Sequence, residues 1–131
     1  DQDSETKLYF IGDLNTQNTL DENQLNFLRN HHNIKEHEIK EKKIKTVKIN
    51  SILNKYNYKN IDFLNIDVEG YELNILKTIE FDKINIKFLC VEMINHNDYS
   101  IENGRKIHAL LKENKYEMIK KFDFNYIYQK S

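Results

Sequence analysis

The chain has 131 residues, with 20 Lys and Arg against 21 Asp and Glu, for a net charge of −1. That length argues for one domain, and the balanced charge gives no electrostatic reason to expect a nucleic-acid partner. The lone cysteine, Cys90, excludes an internal disulfide, and no apolar run approaches the roughly 20 residues that span a bilayer.

From Lys7 to Ile11 the sequence reads as a short strand that ends at Gly12-Asp13, followed by a polar stretch from Leu14 to Leu20. Glu22 to His31, with Leu25 and Leu28 three apart, reads as a short helix. His32 to Lys43 is charged and weakly patterned, which suggests a solvated connection. Lys45 to Ile49 alternates polar and apolar residues, the period of a strand. Asn50 or Ser51 can cap a short helix carrying Ile52, Leu53 and Tyr56. Ile61 to Asp67 is a strand rich in β-formers. From Gly70 the spacing of Leu73, Leu76 and Ile79 becomes helical, and Glu69 and Glu72 fall in the first turn, where the helix dipole favours acid.

Ile84 to Met93 is a second strong strand, apolar on both faces in its later part, and it buries Cys90 as a structural thiol. Ser100 then caps a helix from Ile101 to Asn114. Tyr116 to Phe122 and Phe124 to Lys130 form an antiparallel pair around Asp123. The expected fold class is α/β, with a mostly parallel sheet and an antiparallel C-terminal strand pair.

Ligands of open α/β sheets bind outside the carboxyl ends of parallel strands. Here one strand ends at Asp67 and turns through Val68-Glu69-Gly70, and the next ends at Glu92, close to His96. A right-handed crossover would bring Asp67, Glu69, Glu92 and His96 to one cleft. An apolar strand gains nothing in packing from a terminal carboxylate, because desolvating it is costly. Taken singly, each acid could equally cap a helix or lie at the surface. His31, His32 and His37 read as solvated, and His108 as helix surface.

The segment from Ile61 to Leu76, IDFLNIDVEGYELNIL, resembles the signature of the FkbM family of methyltransferases, roughly I-D-x-L-K-I-D-V-E-G-x-E-x-x-V-L. Leu89 to His96 is similar to that family's next strand, and Thr46 to Leu53 to the segment before the signature. Asn18-Thr19-Leu20 and Phe124 to Tyr128 are weaker matches in the right order. Two positions depart from the pattern. Asn65 stands where lysine is usual, and Lys77-Thr78-Ile79 stands where a glycine often follows the helix.

The resemblance implies a Rossmann-like class I methyltransferase that uses S-adenosylmethionine, with a hydroxyl of a sugar, glycan or small molecule as acceptor. It places Asp67 where cofactor and acceptor meet. Glu69 would orient the acceptor or close the turn. His96 has the pKa range of a general base, with Glu92 as its partner. The family's glycine-rich cofactor loop has no counterpart, because the glycines stand only at 12, 70 and 104. The chain is therefore expected to be the C-terminal portion of a methyltransferase domain that lacks the N-terminal cofactor-binding strands. The absence of an initial methionine fits a processed or partial chain, and the acidic, polar opening and single cysteine fit a reducing, cytoplasmic setting.

Two other classes use the same residues. Asp67, Glu69, Glu92 and His96 could ligate a divalent metal for hydrolysis. Alternatively, the chain is a non-catalytic module that pairs with another polypeptide. An unpaired apolar edge along Ile61 to Asp67 would then favour self-association.

Overall fold

The computed structural model describes residues 4–11, 18–32 and 34–131. Its elements in chain order are β1 (Ser4–Ile11), α1 (Glu22–His31), a 3-10 turn (Glu36–Glu38), β2 (Ile39–Thr46), α2 (Ile49–Lys55), β3 (Asn60–Ile66), α3 (Glu72–Leu76), β4 (Asn85–Glu92), α4 (Asp98–Glu113), β5 (Tyr116–Phe122) and β6 (Asn125–Lys130). The expected strand exit at Gly12-Asp13 and most of the polar stretch after it lie outside the described residues.

β1 and β2 form an antiparallel ribbon of their own, apart from a four-stranded sheet of order β3-β4-β6-β5. Only β3 and β4 run parallel, while β4–β6 and β6–β5 are antiparallel. The sheet is therefore mixed, not mostly parallel as expected. The reason is the tight reversal at Asp123, whose φ of 51° suits a two-residue hairpin turn and sends β6 back between β5 and β4.

Directly paired residues share a face of the sheet, so Leu64, Leu89 and Tyr128 lie on one side, with Ile66, Val91 and Tyr126 beyond them. This face packs on Leu73 and Leu76 of α3 and on Ile107 and Leu111 of α4, forming the main core. Leu76, Leu89, Val91 and Leu111 are fully buried. Each such side chain contributes about 1.5–3 kcal/mol relative to exposure. The opposite face carries Phe63, Phe88, Cys90 and Ile127, and Phe63, on the edge strand β3, is 54% exposed. Cys90 is buried, as expected. A second, small core of Tyr9, Ile11, Leu25 and Leu28 holds α1 against the ribbon.

Several boundaries move from their expected places. The strand expected from Lys45 to Ile49 is instead Ile39–Thr46, and Ile49 opens α2. A solvated ribbon needs few apolar residues, so the charged half of β2 resembled a loop; Lys7 and Glu41 pair across it at 2.8 Å. Neither Asn50 nor Ser51 caps α2, because Lys48 is the N-cap. Asn50 instead bonds the Thr78 carbonyl at 2.7 Å and the Glu80 amide at 3.4 Å. α4 begins three residues earlier than expected. Asn97 caps it, and Ser100 completes a reciprocal capping box. Two expectations hold well: α1, where Asp21 accepts from the Asn23 amide, and the β5–β6 hairpin.

Candidate active site

β3 and β4 are parallel with Ile66 opposite Val91, so Asp67 and Glu92 leave adjacent strands side by side. The chain then turns sharply. Glu69 has φ 53° and Gly70 φ 105°, both in the left-handed region. α3 therefore starts only at Glu72 and runs five residues, so Glu69 stands before the helix and not in its first turn as expected.

Glu72 holds this turn from inside. It is 6% exposed, and its Oε1 accepts from the Val68 amide at 3.0 Å and the Gly70 amide at 3.2 Å. From outside, Thr19 Oγ1 donates to the Glu69 carbonyl at 2.7 Å and accepts from the Asp21 amide at 2.9 Å. A side chain at Gly70 would meet Gln24 Cβ at 3.4 Å and Asp21 Cβ at 3.6 Å. Tyr99, at the start of α4, donates its hydroxyl to Asp21 Oδ2 at 3.1 Å. The N-terminal segment thus clamps the turn through buried polar groups. Thr19, Asp21, Gln24 and Glu72 are the buried polar residues among those described.

The clamp presents the carboxylates of Asp67, Glu69 and Glu92 with oxygens within 4.8 Å of one another. Three like charges at that spacing are unfavourable, and protonation relieves them. Glu92 is pushed up from 4.5 to about 7, first by burial and then by Asp67, Glu69 and Glu72. Its Oε2 is sealed from solvent without a hydrogen-bond partner among the described residues. Glu69 is raised mainly by burial, with Asp67 and Glu72 adding to it. Burial also raises Glu72, against the pull of the amides that bind it.

This arrangement sets a pH dependence of stability. A carboxyl whose folded pKa lies above its unfolded value stabilises the fold while protonated. The contribution of Glu92 is full below about 4.5 and is lost as pH rises through about 7. Glu92→Gln is expected to flatten that slope and raise the melting temperature at about pH 8 by about 2–4 °C, after allowance for solvent screening. Melting curves of both proteins across this range check it; identical slopes would show that Glu92 is not strained.

His96 is not brought into the carboxylate group. Its ring stacks on Phe27 with centroids 4.9 Å apart and meets Phe124 edge-on at 5.8 Å. Burial lowers its pKa, and His32 and His31 lower it further. The expected Glu92–His96 pair makes no hydrogen bond among the described residues, because the loop after β4 turns the imidazole toward α1. His31, expected to be solvated, is exposed yet stacks on the same Phe27 ring at 4.3 Å. His108 is not simply helix surface: its Nδ1 lies 2.7 Å from the Tyr128 hydroxyl, and burial lowers its pKa.

Sequence reasoning missed Asp21, Gln24 and Tyr99 altogether. Asp21 had a legible signal as an acid immediately before the α1 pattern, but nothing in the sequence ties Tyr99 to it across 78 positions.

Fold and site together define an α/β domain that gathers carboxylates at the carboxyl ends of two adjacent parallel strands. The sequence profile of the methyltransferase FkbM domain matches residues 1–118, and the chain belongs to that family of methyltransferase domains. No curated protein and no solved structure matches the chain. No helix among the described residues is long and apolar enough to cross a membrane.

Proposed function

We propose that Asp67, Glu69 and Glu92 form the acceptor side of an S-adenosylmethionine-dependent methyl-transfer site, acting on a hydroxyl of a sugar, glycan or other small molecule. The observation that carries this reading is the three-carboxylate group at the strand ends, with Glu92 able to exchange a proton near pH 7. The family match supports methyl transfer as the chemistry.

S-adenosylmethionine, when bound, supplies an electrophilic methyl group. The described residues do not fit a cradle for it. Gly70 packs on Asp21 and Gln24, and Gly104 lies within α4 against Asn95 and Met93, so neither opens a loop that could hold the ribose or methionine end of the cofactor. The domain is read as Rossmann-like, with its cofactor-binding strands not among the described residues.

The residues present handle the proton. A hydroxyl is a poor nucleophile until its proton leaves, and a base with pKa near the working pH removes it best. Glu92 takes that role in place of His96. Asp67 flanks it and keeps its pKa high. The bond from Thr19 to the Glu69 carbonyl holds the backbone of the turn from which the Glu69 side chain leaves.

Calorimetric titration of this chain with S-adenosylmethionine is expected to show no micromolar binding, and micromolar binding would mean that the cofactor site is made by these residues. A divalent cation is the competing reading, favoured by the spacing of the three carboxylates. In a catalytically active polypeptide containing these residues, methyl transfer that survives a chelator supports the acceptor-side reading; transfer abolished by chelator and restored by Mg2+ supports the cation.

A further inference from the structure

Charge is unevenly spread along the chain. From Lys42 to Asn60 there are six lysines and no acid, although acids number 21 in the whole sequence. This segment covers the end of β2, all of α2 and the approach to β3. It also carries Val47, Ile52, Tyr56 and Tyr58, each 45–58% exposed. Apolar side chains scattered singly over a surface are ordinary, but four set among lysines in one short segment mark a contact face.

Local geometry gathers them. α2 turns Leu53 into the main core, with Ile49 packed beside it. Lys48, Ile52 and Tyr56 follow one another at four-residue spacing, so they share a neighbouring, outward face of the helix. The Lys55 ammonium lies 5.5 Å from the centre of the Tyr56 ring, and the Tyr56 and Tyr58 rings are 6.1 Å apart. Beside this face runs a groove of about 430 Å3 between the ribbon, α2 and α3. Leu20, Val47, Ile49, Ile52, Tyr71 and Ile75 make its lining largely apolar; Lys48 also borders it, and no Asp or Glu does. Lys48, Lys55 and Lys59 are exposed, and none forms an ion pair among the described residues. Lys45 is set aside because it stands opposite Glu5 in the ribbon. Glu80, whose amide bonds Asn50 of α2, has its carboxylate 3.1 Å from Lys83.

A partner for this face must be anionic and must offer apolar material beneath its charge. A nucleic acid supplies charge and stacking surfaces, but nothing for Val47, Ile52 and the aliphatic groove. A bilayer with acidic headgroups supplies both, since lysines stay with the headgroups, tyrosines sit at the interface and aliphatic side chains go below it. We propose that the face made by Val47, Lys48, Ile52, Lys55, Tyr56 and Tyr58 docks this chain on an anionic lipid surface, with the groove taking up apolar lipid material. The contact is with one leaflet, and it needs no helix that crosses the membrane. It is independent of the methyl-transfer reading.

The test is co-sedimentation of the 131-residue chain with vesicles of phosphatidylcholine alone, or with about 30% phosphatidylserine. The expected result is saturable binding to the charged vesicles only, weakened in about 0.5 M sodium chloride. Reversing two charges with Lys48→Glu and Lys55→Glu should weaken binding about 25-fold or more, at about fivefold for each lysine lost. Ile52→Ser should weaken it about fivefold at unchanged charge. Both changes lie on the exposed face, and circular dichroism checks that each variant is folded; if one is not, the other decides. Equal binding to uncharged vesicles, unchanged affinity in the folded variants, or binding to a single-stranded oligonucleotide with none to vesicles would overturn the proposal.

Discussion

Asp67→Asn is expected to cut methyl transfer by about 100-fold or more in a catalytically active polypeptide containing these 131 residues. Asparagine has nearly the same shape, so β3 and the turn after it should persist. The change removes one negative charge from a group of three within 4.8 Å. Asp67 is the largest charged contributor to the raised pKa of Glu92, so its loss should also move that pKa down toward 4.5. A weaker base results, and the rate should both fall and respond to pH at lower values. Steady-state kinetics across a pH series check both effects. Unchanged turnover would reduce Asp67 to a residue that only ends a strand.

Gly70→Val is expected to destabilise the fold by about 3 kcal/mol or more, because φ 105° is a genuine outlier for a β-branched residue. The Cβ itself would only reach ordinary contact with Gln24 Cβ, at 3.4 Å, so the backbone conformation carries the cost. The turn cannot relax freely, because Glu72 binds it from one side and Thr19 from the other. A denaturant midpoint measured by circular dichroism reads the loss. A variant as stable as the original would mean that the turn adopts another conformation without penalty, and that the placement of Glu69 is not fixed by it.

The strands and the acids were legible in the sequence for a simple reason. Ile61 to Ile66 and Ile84 to Val91 are rich in β-forming residues and run directly into carboxylates, Asp67 and Glu92, so element, direction and site could be read together. β2 was not legible, since its middle, Lys40 to Lys43, is exposed and charged and the ribbon's buried residues come mainly from β1. The short α3 was overestimated because Leu73, Leu76 and Ile79 keep helical spacing and are all buried, although the helix itself stops at Leu76. His96 lies where the sequence does not show. Its pKa range suggested a base, but sequence distance from Glu92 says nothing about which way a loop turns the ring, and Phe27 holds it elsewhere. The clamp of Thr19, Asp21 and Tyr99 is made of contacts between distant segments, which no local pattern encodes.

The parallel pairing of β3 and β4 places Glu92 beside Asp67 in the carboxylate group, and the most direct test is the pH profile of methyl transfer with and without Glu92. The wild-type rate is expected to rise with pH around a midpoint near 7, as the Glu92 carboxyl loses its proton and becomes able to accept one from the acceptor. Glu92→Gln is expected to be slow by about 100-fold or more and to lack that midpoint. A variant that keeps both the rate and the wild-type profile would contradict the assignment of Glu92 as the base and, with it, the acceptor-side reading of the carboxylate group.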